Sequence, residues 1–426
     1  MRTLKGASGL AEVAALAMMI LAGPGTVVAQ QARDTLALSQ ALEIARTTNP
    51  ALQAVRLNAD ASAERIAPAG ALPDPQLSFG LRNHSLDLGT GQMMAMNSVQ
   101  LVQRFPWPGK LGFAEQQARS LAAAARWESE ESEAALLARV KTMYYRLAFM
   151  DRALEVMANT RHLLREFHEV SLALYAVGTG LQQDVLQAQV AIARMTEDIT
   201  VMSQNRVAMT ARFNALLGRP ATVEVGALQL PRPGSRLAPV DSLMGIAVEQ
   251  RPALHAARAR AEAAASGYRA ARRAVYPDFA VTLGYSQRPQ FEDLVTIMVG
   301  VSIPLWAGSR QMPLRREMAA VQAMEEAKEL DLYNETFAQL GELAADVHRA
   351  RTLAQMYTTS VLPQAQAAVE SALSAYRVGA VDYMTLVQNE LTVNRYEIAR
   401  IRLTAEYHQA LAQVEALVGV PLGGER

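Results

Sequence analysis

Residues 111–175, LGFAEQQARSLAAAARWESEESEAALLARVKTMYYRLAFMDRALEVMANTRHLLREFHEVSLALY, run for 65 positions without a proline. As one helix they would span roughly 100 Å at 1.5 Å per residue, too long for an ordinary globule. Leu136, Val140, Met143, Leu147, Met150, Leu154, Met157 and Leu164 follow alternating steps of four and three. That is a heptad seam, which packs helices as a coiled coil. Beyond Val177-Gly178, a return helix over 181–217 carries the same seam through Val185, Ala188, Ile192, Met195, Ile199, Met202, Met209, Phe213 and Leu216. Thioethers can ligate soft metals, but six methionines on a seam are read as flexible packing.

Working outward from this helix, the chain repeats itself. Residues 44–75 lie over 246–277 without a gap, and 12 positions match, from Ile44/Ile246 to Pro75/Pro277. Tyr175-Ala-Val-Gly178 returns as Tyr376-Arg-Val-Gly379, and Ala215-Leu-Leu-Gly-Arg-Pro220 as Ala416-Leu-Val-Gly-Val-Pro421. Shared Ala/Leu bias does not explain matched Pro and Gly positions, so the offset of 201–202 indicates a duplication. The first repeat, 30–218, reads as a short helix (39–70), a β-hairpin (76–106), a long helix (111–175) and a return helix (181–217). A Pro/Gly-rich linker, 219–240, leads to the second repeat, 241–426. That repeat has a short helix (241–273), a hairpin (277–306), a long helix (309–376) and a return helix (382–418). Pro363 predicts a kink or break in the second long helix.

The hairpins alternate with period two. Leu77, Phe79 and Leu81 share a face, as do Val99, Leu101 and Phe105. Phe279, Val281, Leu283 and Tyr285 form a third row, and Val295 to Leu305 a fourth. Each segment can extend to about 9–11 residues, enough to cross a bilayer as a tilted strand. Trp107, Tyr276, Tyr285 and Trp306 stand near segment ends, as interfacial aromatics would. Four strands cannot close a barrel, and an open edge cannot sit in lipid. Three chains giving about 12 strands is the economical solution. The fold class is therefore a mixed α and β membrane protein, with a trimeric β-barrel continued by a coiled-coil helical barrel.

The remaining composition narrows the function. The 426 residues contain no cysteine, 41 basic and 41 acidic residues, and six histidines. This excludes a disulfide scaffold, a thiolate site and a lipidated cysteine, and gives no basic footprint for nucleic acid. His162 and His168 are six apart, off a single helical face. Gly89-Thr-Gly91 lacks the Gly-Lys-Ser/Thr of a phosphate loop. Met93, Met94 and Met96 cluster in the first hairpin loop. No constellation suggests an enzyme, a cofactor or a metal site. Arg2 and Lys5, the apolar run 13–22 and small residues before Gln30 read as a signal peptide, 1–29.

Leu38-Ser-Gln-Ala-Leu-Glu43 leads to Asn49-Pro50-Ala51-Leu52, followed by Pro75-Gln-Leu-Ser, Tyr175-Ala-Val-Gly178 and Asp184-Val-Leu-Gln-Ala188. With their second-half copies, these resemble the TolC-like outer membrane efflux family over essentially the whole mature chain. Leu72-Pro-Asp-Pro75 and Gln103-Arg-Phe-Pro-Trp-Pro-Gly-Lys110 are similar to its heavy-metal branch, the CzcC- and CusC-like members. The resemblance implies a homotrimeric outer membrane channel with a periplasmic helical barrel. An inner membrane pump of the RND type, with a periplasmic adaptor, would feed it heavy-metal cations, drugs or a secreted protein. It also implies adaptor docking at the tips, Val177-Gly178 and Val378-Gly379. The family often carries acidic residues six and nine positions after the second tip glycine. Here those positions are Thr385 and Gln388, so Asp184 and Asp382 become the nearest carboxylates for an entrance gate. The reading from another class is a periplasmic coiled-coil scaffold without a pore.

Overall fold

The computed structural model describes residues 36–82, 96–234, 236–289 and 291–422. The expected signal peptide lies outside these residues, as do Gly89, Gly91, Met93 and Met94 of the first hairpin loop. The chain forms α1 (Leu38–Thr48), α2 (Pro50–Ala63), α3 (Ile66–Gly70), β1 (Gln76–Arg82), β2 (Met96–Phe105), α4 (Lys110–Ala176) and α5 (Gln182–Leu216). It continues as α6 (Val240–Gln250), α7 (Pro252–Arg273), β3 (Asp278–Gln287), β4 (Leu294–Ser302), α8 (Gln311–Met356), α9 (Leu362–Arg377) and α10 (Tyr383–Val418).

Three expectations need correction, each because of a proline. The helix read over 39–70 is broken, and so is its counterpart over 241–273. Pro50 and Pro252 cannot continue a helix but suit its first position. The Asn49 side chain caps the new start, its Oδ1 accepting from the Leu52 backbone amide at 3.0 Å while its Nδ2 donates to the Leu216 carbonyl at 2.9 Å. The break thereby ties the short helices to the end of α5. In the fourth strand, pairing stops at Ser302, because Pro304 follows; Ile303 and Leu305 lie in the turn region before α8.

The break expected near Pro363 takes a definite form. Residues Tyr357–Val361 make a π-helical turn between α8 and α9. Pro363 has no N–H for the carbonyl four residues back, so the ladder shifts, and the Leu362 amide reaches Tyr357. The hydroxyls of Thr358 and Thr359 donate to the Ala354 and Gln355 carbonyls at 2.8 and 3.0 Å.

The long helices lie in a row: α5 on α4, α4 on α10, and α10 on α8 and α9. Three apolar cores hold the row together. Near the short helices of the first half, Ala41, Ala45 and Leu52 bury against Val140, Leu147 and Phe213. In the second half, Leu243, Met244 and Ala247 bury against Leu340, Val347 and Val414. Ala41 and Leu243, and likewise Ala45 and Ala247, are 202 positions apart and all fully buried. The third core lies toward the helix turns and joins Leu164, Phe167 and Met195 to Tyr376, Tyr383 and Leu386. The six seam methionines belong to these clusters. The linker packs against the helices: Arg206 bonds the Val225 carbonyl at 2.9 Å and pairs with Asp151, which also accepts from the Leu228 amide at 3.0 Å.

The four strands form one antiparallel sheet in the order β1-β2-β3-β4. The register aligns Leu77 with Leu101, Leu101 with Leu283 and Leu283 with Ile297. Phe79, Val99, Tyr285 and Val295 form the next row. The odd-numbered residues thus share one face across all four strands. That face is apolar through its middle and becomes polar at Gln103 and at the Asn97–Gln287 pair. The other face carries Ser78, Gln100, Thr282 and Thr296.

Candidate functional site

Among the described residues, two regions stand out as candidates for function: the pair of helix turns and the sheet. Each turn is a Schellman motif. The Gly178 and Thr179 amides bond the Tyr175 and Leu174 carbonyls, both at 3.0 Å; those of Gly379 and Ala380 bond Tyr376 and Ala375 at 3.0 and 2.9 Å. Gly178 and Gly379 have φ of 80° and 73°, left-handed conformations that a β-carbon disfavours. This leaves Val177 and Val378 at the turns with 72% and 79% of their surface in solvent.

The duplicated tyrosines of the two turns behave differently. Tyr175 is 45% exposed, whereas Tyr376 is 5% exposed. The Tyr376 hydroxyl donates to Asp184 Oδ2 at 3.3 Å, linking the end of α9 to the first turn of α5. Burial, followed by the Asp184 charge, pushes the Tyr376 hydroxyl up to about 12. Tyr383 is fully buried with its ring 5.6 Å from that of Tyr376, and burial also raises its hydroxyl. Asp184 therefore sits with Tyr376 and Tyr383 in a contact between the two hairpins. Position 201 residues after Asp184 is Thr385, so the second half offers no carboxylate for the same contact with Tyr175.

The structure places the other candidates apart from that contact. Asp382 is the N-cap of α10 and accepts from both the amide of Thr385, at 3.0 Å, and its hydroxyl. Those bonds hold its exposed carboxyl below the ordinary value. Thr385 is thus engaged in a cap, while Gln388 stands exposed on α10. Reading the sequence did not single out Tyr376 or Tyr383 as site residues. The repeated Tyr-x-Val-Gly and the aromatic next to Asp382 were the available signals.

At the sheet, large apolar side chains on the odd face are left in solvent, among them Leu77, Phe79, Leu81, Val295, Ile297 and Val299. Leaving a side chain of this size in water forgoes about 1.5–3 kcal/mol, so six on one face require an apolar neighbour. The aromatics expected at an interface divide between the two ends. Trp107 and Tyr276 stack at 5.1 Å at the helical end, and Tyr285 lies toward the other. Among the described residues, no helix is long and apolar enough to cross a membrane, and no group of three or more His, Asp or Glu could hold a metal ion.

Comparison with known proteins agrees with this geometry. No curated protein matches the chain. Solved structures with the same fold include the outer membrane protein VceC of Vibrio cholerae, at 19% identity and a TM-score of 0.78, covering 91% of this chain and 97% of that one. The MtrE outer membrane channel of Neisseria gonorrhoeae in its open state gives 15% and 0.77, covering 90% and 89%. CusC gives 17% and 0.75, covering 90% and 92%. At such identities these structures establish the fold and do not separate a metal branch from the rest. The model of the outer membrane efflux protein family matches residues 41–219 and 243–420, most of the chain. This chain belongs to the outer membrane efflux protein family.

Proposed function

We propose that three copies of this chain, exported by the signal peptide 1–29, close a 12-stranded barrel in the outer membrane. The helices would continue it as a periplasmic tube. The single observation that carries this reading is the open four-stranded sheet with one apolar face and two free edges. A lone sheet of this kind is stable neither in water nor in lipid, and closure between copies resolves both problems. The two matched segments and the recurring order of elements support a duplicated chain.

In this reading the protein conducts passively and catalyses nothing. An inner membrane pump, of the RND type, and a periplasmic adaptor deliver the cargo, and the adaptor docks on Val177-Gly178 and Val378-Gly379. The pump selects the cargo, heavy-metal cations in the branch that the sequence resembles. The contact of Tyr376 with Asp184 supports a closed entrance held by a tie inside each chain, and Asp382 would repeat three times around it.

The mass of the protein extracted by detergent from the outer membrane fraction tests the architecture. Three mature chains of about 43 kDa should weigh about 130 kDa, as 12 shared strands require. A soluble periplasmic monomer would overturn the channel and favour the scaffold.

A further inference from the structure

At the helical end of the sheet, a stack runs from the apolar face to a cluster of cations. Phe105 pairs with Phe279 in the last rung of β2 and β3. Trp107 stacks on Phe279 at 5.8 Å, Tyr276 stacks on Trp107, and the Arg273 guanidinium lies 5.8 Å from the Tyr276 ring. Chemistry along this line changes from aliphatic to aromatic to cationic, the order met on leaving a bilayer. Arg269 lies 5.7 Å from the Phe113 ring and Arg272 6.0 Å from that of Tyr268. An aromatic ring against one face of a guanidinium leaves its edge open to a phosphate fork. Arg269 shares that edge with its own helix, Nε donating to the Ala265 carbonyl at 3.3 Å and Nη2 to the Ser266 hydroxyl at 3.4 Å, and the remaining N–H groups face outward for the anion.

Nothing nearby neutralises the three arginines. Among the described residues none is in an ion pair, and no acidic residue lies between Glu262 and Asp278. Asp278 is taken by Lys110 at 2.7 Å and by the Trp107 amide at 2.8 Å. Glu115, in the first turns of α4, pairs with Arg119. The duplicate positions in the first half are Ala67, Gly70 and Ala71. Those positions belong to the short helix α3 and its end, so the three arginines mark the second half alone, where α7 runs unbroken to Arg273.

We propose that Arg269, Arg272 and Arg273 form a binding surface for the phosphate of anionic phospholipids in the leaflet facing the helical domain. This rests on the channel reading, which sets that end of the sheet at a bilayer surface. A cation near an anionic surface adds about fivefold to lipid affinity, so the three together amount to about a hundredfold.

The test is native mass spectrometry of the detergent-extracted trimer titrated with phosphatidylglycerol, phosphatidylcholine or inorganic phosphate. Wild type should retain phosphatidylglycerol over phosphatidylcholine. The triple variant R269Q/R272Q/R273Q should lose about a hundredfold in that retention, and a charge-matched control, R165Q/R194Q/R212Q, should lose none. If the triple variant does not assemble, R273Q alone should lose about fivefold. Equal retention by wild type and a folded variant overturns the proposal, as does inorganic phosphate binding as tightly as the lipid. A soluble monomer would sink the channel reading instead. A membrane trimer indifferent to these arginines sinks only this one.

Discussion

Glu390 is 5% exposed between α4 and α10, where its carboxyl accepts from the Thr160 hydroxyl at 3.5 Å, its one hydrogen-bond partner among the described residues, and Thr160 also accepts from Asn394. Burial raises its pKa, the charge of Glu397 adds to this, and the Thr160 bond opposes it. A carboxyl whose folded value is raised contributes most below its unfolded value, ordinarily near 4.5, and that contribution is lost as pH rises through the folded value. E390Q should therefore be more thermally stable than wild type at neutral pH, with the difference closing toward pH 4. Melting curves across that range check it, and parallel pH profiles for the two proteins would remove Glu390 as a strained group. Tyr376 makes a second prediction at this scale. Y376F keeps the ring in its core but frees Asp184, so single-channel conductance should rise while the trimer stays intact. Unchanged conductance would dissociate this bond from the entrance. Neither role was legible in the sequence. Tyr175 and Tyr376 occupy the same motif, and only the arrangement of α5 against α9 decides which one meets a carboxylate.

At the scale of elements, long-range order was easier to read than local breaks. The heptad seams foretold α4 and α5 because a 3.5-residue repeat survives over many turns, and the duplication carried the reading to α10. Asn49-Pro50 was read as helix interior, although a proline behind an asparagine cap is a start signal. Pro363 was recognised as a break, but its π-turn follows from a local hydrogen-bond shift that spacing does not encode. The turns at Gly178 and Gly379 support a further prediction. Open space surrounds both glycines, so a side chain there meets backbone strain and no clash. Replacing both with leucine should cost about 1–2 kcal/mol at each turn and lower efflux-dependent resistance, while the protein still reaches the membrane as a trimer. Resistance at the wild-type level in G178L/G379L would remove the tips as the docking surface.

At the scale of the whole molecule, the proposed threefold symmetry would convert single residues into rings. One exposed Asp382 per chain is a modest charge in water, but in the proposed trimer three around an axis would form an electrostatic filter for cations. Its bonds from Thr385 bear directly on how that filter titrates. They stabilise the ionised form and hold the carboxyl below the ordinary value, so the ring should stay charged to lower pH than unassisted aspartates would. Two measurements in planar bilayers follow. D382K should lower the ratio of cation to anion permeability, by exchanging three negative charges for three positive ones. T385A should leave that ratio near wild type at neutral pH but make it fall at a higher pH on acidification, because the hydroxyl donor is gone. If D382K leaves the ratio unchanged, Asp382 lies off the ion path and is only a helix cap. If D382K acts but T385A titrates like wild type, the charge belongs to the entrance, and the cap does not tune it.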